Sequence, residues 1–115
     1  MNKESSIFIK HILDSIQDIE LFINKATKDE FAKNKEKQSA VIHQIEIIGE
    51  AAKNLPKEFK DKHPAVEWSE IIRTRDKIIH HYFGVNLETV WDIVKKNLPE
   101  LKKKMLHILS QESKG

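Results

Sequence analysis

The stretch VIHQIEIIGEAAKNLP, residues 41–56, decides the fold. Its apolar side chains recur at intervals of three and four residues, a spacing that places them on one face of an α-helix. They are Val41, Ile45, Ile48, Ala52 and Leu55. Proline follows at position 56, where a helix would stop. The stretch therefore predicts an amphipathic helix that buries one face.

The same periodicity continues towards the N-terminus. Apolar residues spaced by three and four predict one long amphipathic helix from Ser5 to about Lys33. Towards the C-terminus, residues 56–67 carry two prolines and are interpreted as a broken connection with at most one short turn. The pattern thus predicts two long helices before the middle of the chain.

Three more helices are predicted in the second half. The third begins near Trp68, and Gly84 is well placed just past its end. Asn86 can cap the fourth helix through its side chain. Pro99 suits the first turn of a last helix, where its missing N–H is tolerated. The sequence therefore predicts an all-α fold, an antiparallel four- to five-helix up-and-down bundle.

Composition narrows the class of protein. A chain of 115 residues suits a single domain spanning 1–115, and 39% apolar against 33% charged residues excludes a disordered chain. The absence of cysteine excludes disulfides and thiolate chemistry, and it fits a cytoplasmic protein. The sequence contains no basic start followed by a long apolar run, so neither a signal peptide nor a membrane span is predicted. The net charge of +2 permits RNA binding, although solvated lysines explain it as well.

The segment RTRDKIIHHYFG, residues 73–84, concentrates the polar chemistry of the chain. On a straight helix Arg75 and His80 are ~140° apart around the axis, so one chain cannot aim both at one point. Asp76 and His80 are four residues apart, and the carboxylate could accept the imidazole N–H. From the residues alone, this cluster is either a tuned acid or a cationic helix end that complements the helix dipole.

Other candidate residues are interpreted structurally. His43 lies beside an apolar stripe without a second metal ligand at helical spacing, so no metal site is predicted. Glu46 and Glu50 could bind a divalent ion, but a solvated face is the more usual role of such a pair. Gly49 is expected to permit close helix packing, and Trp68 and Trp91 are expected to anchor the core.

The segment RDKIIHHY, residues 75–82, fits the pattern Arg, four residues, His, one residue, Tyr. With three further stretches it resembles HepT-like proteins of the HEPN superfamily, the helical toxin partners of minimal nucleotidyltransferases. Those stretches are IEIIGEAAKNLP, PAVEWSEI and HHYFGVNLETVWDIVKKNLPEL. Together they cover nearly the whole chain. The looser HEPN pattern also fits Arg75 with His81 and Arg73 with His80, and the trailing Tyr82 selects Arg75 and His80.

This resemblance implies a function. HEPN ribonucleases resembling this chain are homodimers that cut RNA without a metal or another cofactor. The resemblance assigns catalysis to Arg75 and His80, support to Asp76 and His81, and acceptance of AMP to Tyr82. AMP transfer by the cognate minimal nucleotidyltransferase would neutralise the toxin, as in a type VII-like toxin–antitoxin module. The alternative is a catalytically inactive helical dimer that binds and positions a nucleotidyltransferase or a nucleotide.

Overall fold

A computed structural model describes the backbone of residues 1–80 and 86–114, and the side chains of these residues except 79, 80, 113 and 114. Every regular element in these ranges is helical, without a β-strand, so the all-α fold class is confirmed. In chain order the helices are α1 (Lys3–Phe22), α2 (Lys28–Lys33), α3 (Lys35–Asn54), α4 (Lys57–Lys62), α5 (Trp68–His80), α6 (Leu87–Asp92) and α7 (Leu98–Lys114), with a π-helical segment (Ile93–Asn97) between α6 and α7. None of the described helices is both long enough and apolar enough to span a membrane.

Helix α3 lies at the centre of the packing. It contacts α1 along one side and α5 along another, while α7 packs against α1. The stripe predicted from residues 41–56 is confirmed, because all five of its apolar residues are buried. They are Val41, Ile45, Ile48, Ala52 and Leu55. The helix that was predicted with the clearest pattern therefore forms the core on which the other helices assemble.

The prediction of one helix from Ser5 to about Lys33 is wrong. Helix α1 ends at Phe22, and Lys25 adopts a positive φ of 63°, which no helix continues. Thr27 then starts α2, since its hydroxyl accepts a hydrogen bond from the Glu30 amide and also bonds to the Glu30 carboxylate. Thr27 and Glu30 have the Thr-x-x-Glu spacing of a capping box, which is a start signal inside the apolar period.

The connection between α3 and α5 contains the short helix α4. Phe59 of α4 packs edge-on against Trp68, with ring centroids 6.4 Å apart. The Trp68 indole N–H donates to the His63 carbonyl at 3.0 Å. Trp68 is buried, so its predicted role in the core is confirmed. These contacts fix the start of α5, the helix that carries the Arg/His motif.

The last two predicted helices form one continuous rod. Asn86 caps α6 as predicted, its side-chain oxygen accepting from the Glu88 and Thr89 amides. The chain then passes through the π-helical segment, where the Leu98 N–H donates to the Ile93 carbonyl. Pro99 lies in the first turn of α7, as predicted, but no break precedes it. The wider π turn lets the rod continue where proline removes a backbone donor.

Candidate functional site

The Arg/His motif lies in the second half of α5. Helix α5 ends at His80, whose backbone is described. The side chain of His80 and the whole of His81 and Tyr82 lie outside the described residues. Of the residues predicted to form the site, the structure therefore places the side chains of Arg75 and Asp76.

The Arg75 side chain lies directly against Gly49 of α3. A Cβ atom at Gly49 would come within 2.1 Å of the Arg75 Cβ and 2.5 Å of its Cγ. Real Cβ atoms do not approach other atoms this closely, so any side chain at position 49 would force the two helices apart. The prediction that Gly49 permits close helix packing is confirmed, and the group that it admits is the stem of the motif arginine.

Two carboxylates hold the Arg75 guanidinium. Its Nη2 lies 2.7 Å from Oε2 of Glu50 on α3, and its Nη1 lies 2.9 Å from Oδ1 of Asp76. The Arg75 side chain is 21% exposed, whereas the two acidic side chains are about half exposed. Its Nε is buried and has no hydrogen-bond partner among the described residues. Arg75 is thus mostly enclosed, with part of its side chain still exposed to solvent.

Glu50 is the residue that sequence reasoning missed. It was interpreted as part of a solvated face, and it is indeed half exposed, but it also forms an ion pair with Arg75 of a neighbouring helix. The two residues are far apart in sequence, and helical spacing relates only residues on one helix. Gly49 was the available signal, because a buried glycine marks where another helix comes close and its neighbour Glu50 lies at that contact.

Asp76 contacts Arg75 in the described structure. The sequence predicts that Asp76 orients His80, whereas in the described structure its carboxylate accepts a hydrogen bond from the adjacent Arg75. A carboxylate has several lone pairs and can serve two donors. Because the His80 side chain is not described, the contact between Asp76 and His80 stays a prediction.

The two arginines of the motif segment differ in their surroundings. The Arg73 side chain is 60% exposed and pairs with Glu70, one turn earlier on the same helix. Arg75 instead packs between α5 and α3. An exposed pair within one helix contributes little to structure, whereas a guanidinium held from two helices has a defined direction. The geometry therefore favours Arg75 over Arg73 as the functional arginine.

A pocket of about 200 Å³ lies between α3, α5, the π-helical segment and α7. Its wall combines aliphatic side chains such as Ile45, Ile48 and Leu98 with nearly as many polar ones, among them Glu67 and Glu100. Neither Arg75 nor Asp76 lines this pocket. The candidate site is therefore the guanidinium at the surface where α3 and α5 meet, and the pocket is separate from it.

Comparison with known proteins identifies related chains. The profile of the HepT-like family, described as "Ribonuclease HepT-like", matches residues 12–108. A Methanocaldococcus jannaschii protein named "Putative RNase" is 48% identical over 107 residues, covering 93% of this chain and 88% of the relative. A "Probable ribonuclease HepT" of Thermococcus cleftensis is 42% identical over 104 residues, covering 90% of this chain and 94% of the relative.

A third relative is longer. The M. jannaschii protein named "Gamma-glutamylcyclotransferase and putative RNase" is 46% identical over all 115 residues, but this chain spans only 52% of it. No solved structure matches the chain significantly. The matches to the two shorter relatives extend over 88% and 94% of their length.

Proposed function

Because the chain belongs to the HepT-like family of the HEPN superfamily, we propose that it is an endoribonuclease toxin that cleaves RNA without a metal. The observation that carries this proposal is the family match over residues 12–108 together with the placement of Arg75. That side chain is packed against Gly49 and held by Glu50, so a planar, always-charged guanidinium is positioned where α3 and α5 meet. Such a fork suits the oxygens of an RNA phosphate.

The proposed reaction is an internal transesterification. The ribose 2′-oxygen attacks phosphorus, the bond from phosphorus to the 5′-oxygen breaks, and a 2′,3′-cyclic phosphate and a 5′-hydroxyl remain. One imidazole accepts the 2′-OH proton, and a second, protonated imidazole donates a proton to the leaving oxygen. Histidine suits both tasks because its unperturbed pKa is ~6.5. Arg75 stabilises the negative charge that develops on the phosphate oxygens.

The two imidazoles require two copies of the chain. In our proposal a homodimer brings both His80 residues and both Arg75 residues to one cleft. Arg75 and His80 leave a straight helix ~140° apart, so residues of a symmetry mate complete the set that one chain cannot. In this arrangement His81 supports His80, and Asp76 orients the His80 imidazole. The absence of cysteine is compatible with action in the cytoplasm.

Tyr82 is the proposed point of control. The cognate minimal nucleotidyltransferase would act as the antitoxin of a type VII-like module. The Tyr82 phenol oxygen attacks the α-phosphorus of ATP, AMP is transferred to it, and pyrophosphate leaves. The added phosphate and nucleotide would occupy the RNA cleft beside the Arg/His motif and repel the substrate backbone.

One observation favours a second candidate function. Glu50 and Asp76 already neutralise Arg75, which would weaken its attraction for RNA. A catalytically inactive dimer that binds a nucleotidyltransferase or a nucleotide is consistent with that pairing. Cleavage of RNA separates the two candidates, because the inactive dimer would bind its partner without any cleavage.

The first experiment is cleavage of an end-labelled RNA pool by the purified protein in excess EDTA. We expect products with 2′,3′-cyclic phosphate ends, and we expect them to disappear with His80→Ala protein that remains folded and dimeric. Loss of one general acid–base group should lower the rate by about 10²–10⁴-fold. Equal cleavage by both proteins would contradict the role of His80, and no cleavage by the unmodified parent would favour the inactive dimer.

A second experiment tests Tyr82. After incubation with the cognate nucleotidyltransferase and ATP, intact-mass spectrometry should show AMP on the parent protein and none on Tyr82→Phe. The modified parent should lose RNA cleavage, while Tyr82→Phe should keep it. An AMP adduct on the phenylalanine variant would place the acceptor elsewhere.

A further inference from the structure

The contact between α3 and α5 fixes Arg75 at three points. Its stem lies against Gly49, where no Cβ fits. Its Nη2 lies 2.7 Å from Glu50, and its Nη1 lies 2.9 Å from Asp76. A free arginine side chain samples many rotamers, and ordering it on substrate binding has an entropic cost. Here that order exists before any substrate arrives.

The two acidic partners have different effects on this order. Asp76 is the next residue along α5, so it moves together with Arg75 and cannot fix the guanidinium relative to the rest of the fold. Glu50 comes from α3 and lies directly after the glycine that supports the arginine stem. The Glu50 carboxylate is therefore the group that fixes the guanidinium relative to the neighbouring helix.

The remaining donors define how a phosphate can bind. A guanidinium has five N–H groups, one on Nε and two on each Nη. Nε is buried, Nη1 donates a hydrogen bond to Asp76, and Nη2 lies 2.7 Å from a Glu50 carboxylate oxygen. Each Nη carries two N–H groups, so both nitrogens have more donors than these carboxylate contacts need. We therefore expect a phosphate to contact the guanidinium through its Nη nitrogens and not through Nε.

We infer that Glu50 is a positioning residue that aims Arg75 at the scissile phosphate, an inference that rests on the proposed ribonuclease function. Glu50 acts through Arg75 and does not contact RNA itself. Its negative charge weakens the attraction between Arg75 and phosphate, while its ion pair with Nη2 sets the direction of the fork. Glu50 therefore favours the transition state through orientation more than it favours binding of the substrate.

Steady-state kinetics on RNA test this role. We expect kcat to fall by about 10–100-fold in Glu50→Ala, because Arg75 loses its direction, while KM stays equal or decreases because a repelling carboxylate is gone. Glu50→Gln keeps a hydrogen-bond acceptor and should fall between the parent and Glu50→Ala. The matched control is Glu46→Gln, one turn earlier on α3, which forms no ion pair with Arg75 in the described structure and should leave both parameters unchanged.

The kinetic outcome separates positioning from stability. All variants are measured well below their unfolding temperatures, where a residue with a purely structural role changes neither kcat nor KM. A folded Glu50→Ala protein with kcat within about twofold of the parent would overturn the inference. An increase in KM at unchanged kcat would also overturn it, because that result indicates uniform binding.

A measurement without RNA distinguishes this inference from the proposed function. In nitrogen-15 NMR spectra of the Arg75 guanidinium, held Nη groups rotate slowly and give separate signals. We expect separate signals in the parent and in Glu46→Gln, and a single averaged signal in Glu50→Ala. Identical Arg75 spectra in parent and Glu50→Ala would show that Glu50 does not hold the guanidinium. A parent that cleaves no RNA overturns the proposed function, and the spectra then decide the contact between Glu50 and Arg75 alone.

Discussion

Helix α3 contacts α1 and α5 through surfaces of different chemistry. The side of α1 that faces the core is mainly aliphatic: Ile9, Ile12, Ile16 and Ile19 are at most 1% exposed, and two serines are buried among them. The contact with α5 contains a glycine, an arginine and two half-exposed carboxylates. Burying an isoleucine contributes about 1.5–3 kcal/mol, whereas exposed ion pairs contribute about 0–1 kcal/mol. The first contact stabilises the fold, and the second fixes the direction of a charged group.

Among the described residues, the contact between α3 and α5 contains a buried polar group without a hydrogen-bond partner, which lowers the free energy of unfolding. A buried donor without a partner, such as the Nε of Arg75, destabilises a protein by about 1–3 kcal/mol. Neither neighbouring carboxylate accepts from this nitrogen. Such a group persists when function requires the side chain in that place. The contact between α3 and α5 should therefore tolerate substitutions that remove charge, while the contact between α3 and α1 should not tolerate loss of volume.

The largest expected effect is on the α1 side. Ile16→Ala removes a side chain that is 1% exposed, and the free energy of unfolding should decrease by about 2–5 kcal/mol because the cavity closes only in part. The matched control is Ile7→Ala on the same helix, where the parent side chain is 43% exposed and the loss should stay below about 1 kcal/mol. Urea unfolding measures both, and equal losses would contradict the contrast between buried and exposed positions.

The second effect tests the close approach between Gly49 of α3 and the Arg75 stem of α5. In Gly49→Ala the helix propensity gain of about 1 kcal/mol opposes a clash with atoms near the α5 backbone. Such overpacking typically costs about 1–3 kcal/mol, and a Cβ only 2.1 Å from another Cβ places this case at the upper end. We expect a net loss of stability together with a loss of RNA cleavage.

A double variant supplies the control for this prediction. Arg75→Gly removes the Cβ and Cγ that the new methyl group would meet, so the effects of the two substitutions should not add. Gly49→Ala should be less destabilising in the Arg75→Gly protein than in the parent. Additive losses would mean that the arginine stem does not limit the space at position 49.

The third effect separates function from stability. Arg75→Met keeps an unbranched stem over Gly49 and removes both the ion pairs and the unpartnered Nε, so the free energy of unfolding should decrease by no more than about 1 kcal/mol. RNA cleavage should be lost. The matched control is Arg73→Met, which removes an exposed pair on the same helix and should retain cleavage. Loss of cleavage in the control alone would assign the motif to Arg73 and His80.

The helical stripes were predictable because they depend on local periodicity. Val41, Ile45 and Ile48 are buried as expected, and Asn86 caps α6 through its own side chain. In α7, Leu101, Met105 and Ile108 are buried at intervals of four and three residues, while Leu106 lies beside this stripe and is 49% exposed. The period of an ordinary α-helix therefore holds within α7.

The candidate site was predictable only in part. The family resemblance is carried by the segment with Arg75, and the geometry at Gly49 supports that choice of arginine. The pairing of Glu50 with Arg75 was not predicted, because Arg75 is on another helix and periodicity contains no information about contacts between helices. The break between α1 and α2 was missed because the apolar period runs through it, although Thr27 and Glu30 carry a capping signal.

The smallest expected effect concerns the polar contacts of Glu112, which lie outside both the α1–α3 and the α3–α5 contacts. The Glu112 carboxylate accepts hydrogen bonds from the Met1 amino group at 3.0 Å and from His63 at 3.1 Å, and these contacts hold the pKa of Glu112 below its ordinary value of 4.5. A lowered pKa means that the carboxylate favours the folded state above about pH 4.5 and loses this effect as pH falls through the folded-state pKa.

Glu112→Gln keeps the shape and removes the charge, so it should lower the melting temperature slightly at pH 7. The gap between parent and variant should close as the pH falls below about 4.5 and through the lowered folded-state pKa of Glu112, because protonation removes the same charge from the parent. Thermal unfolding of both proteins across this range measures it. A gap at pH 7 as large as that of Ile16→Ala would break the comparison, since a polar contact would then stabilise the fold as much as the aliphatic surface between α1 and α3.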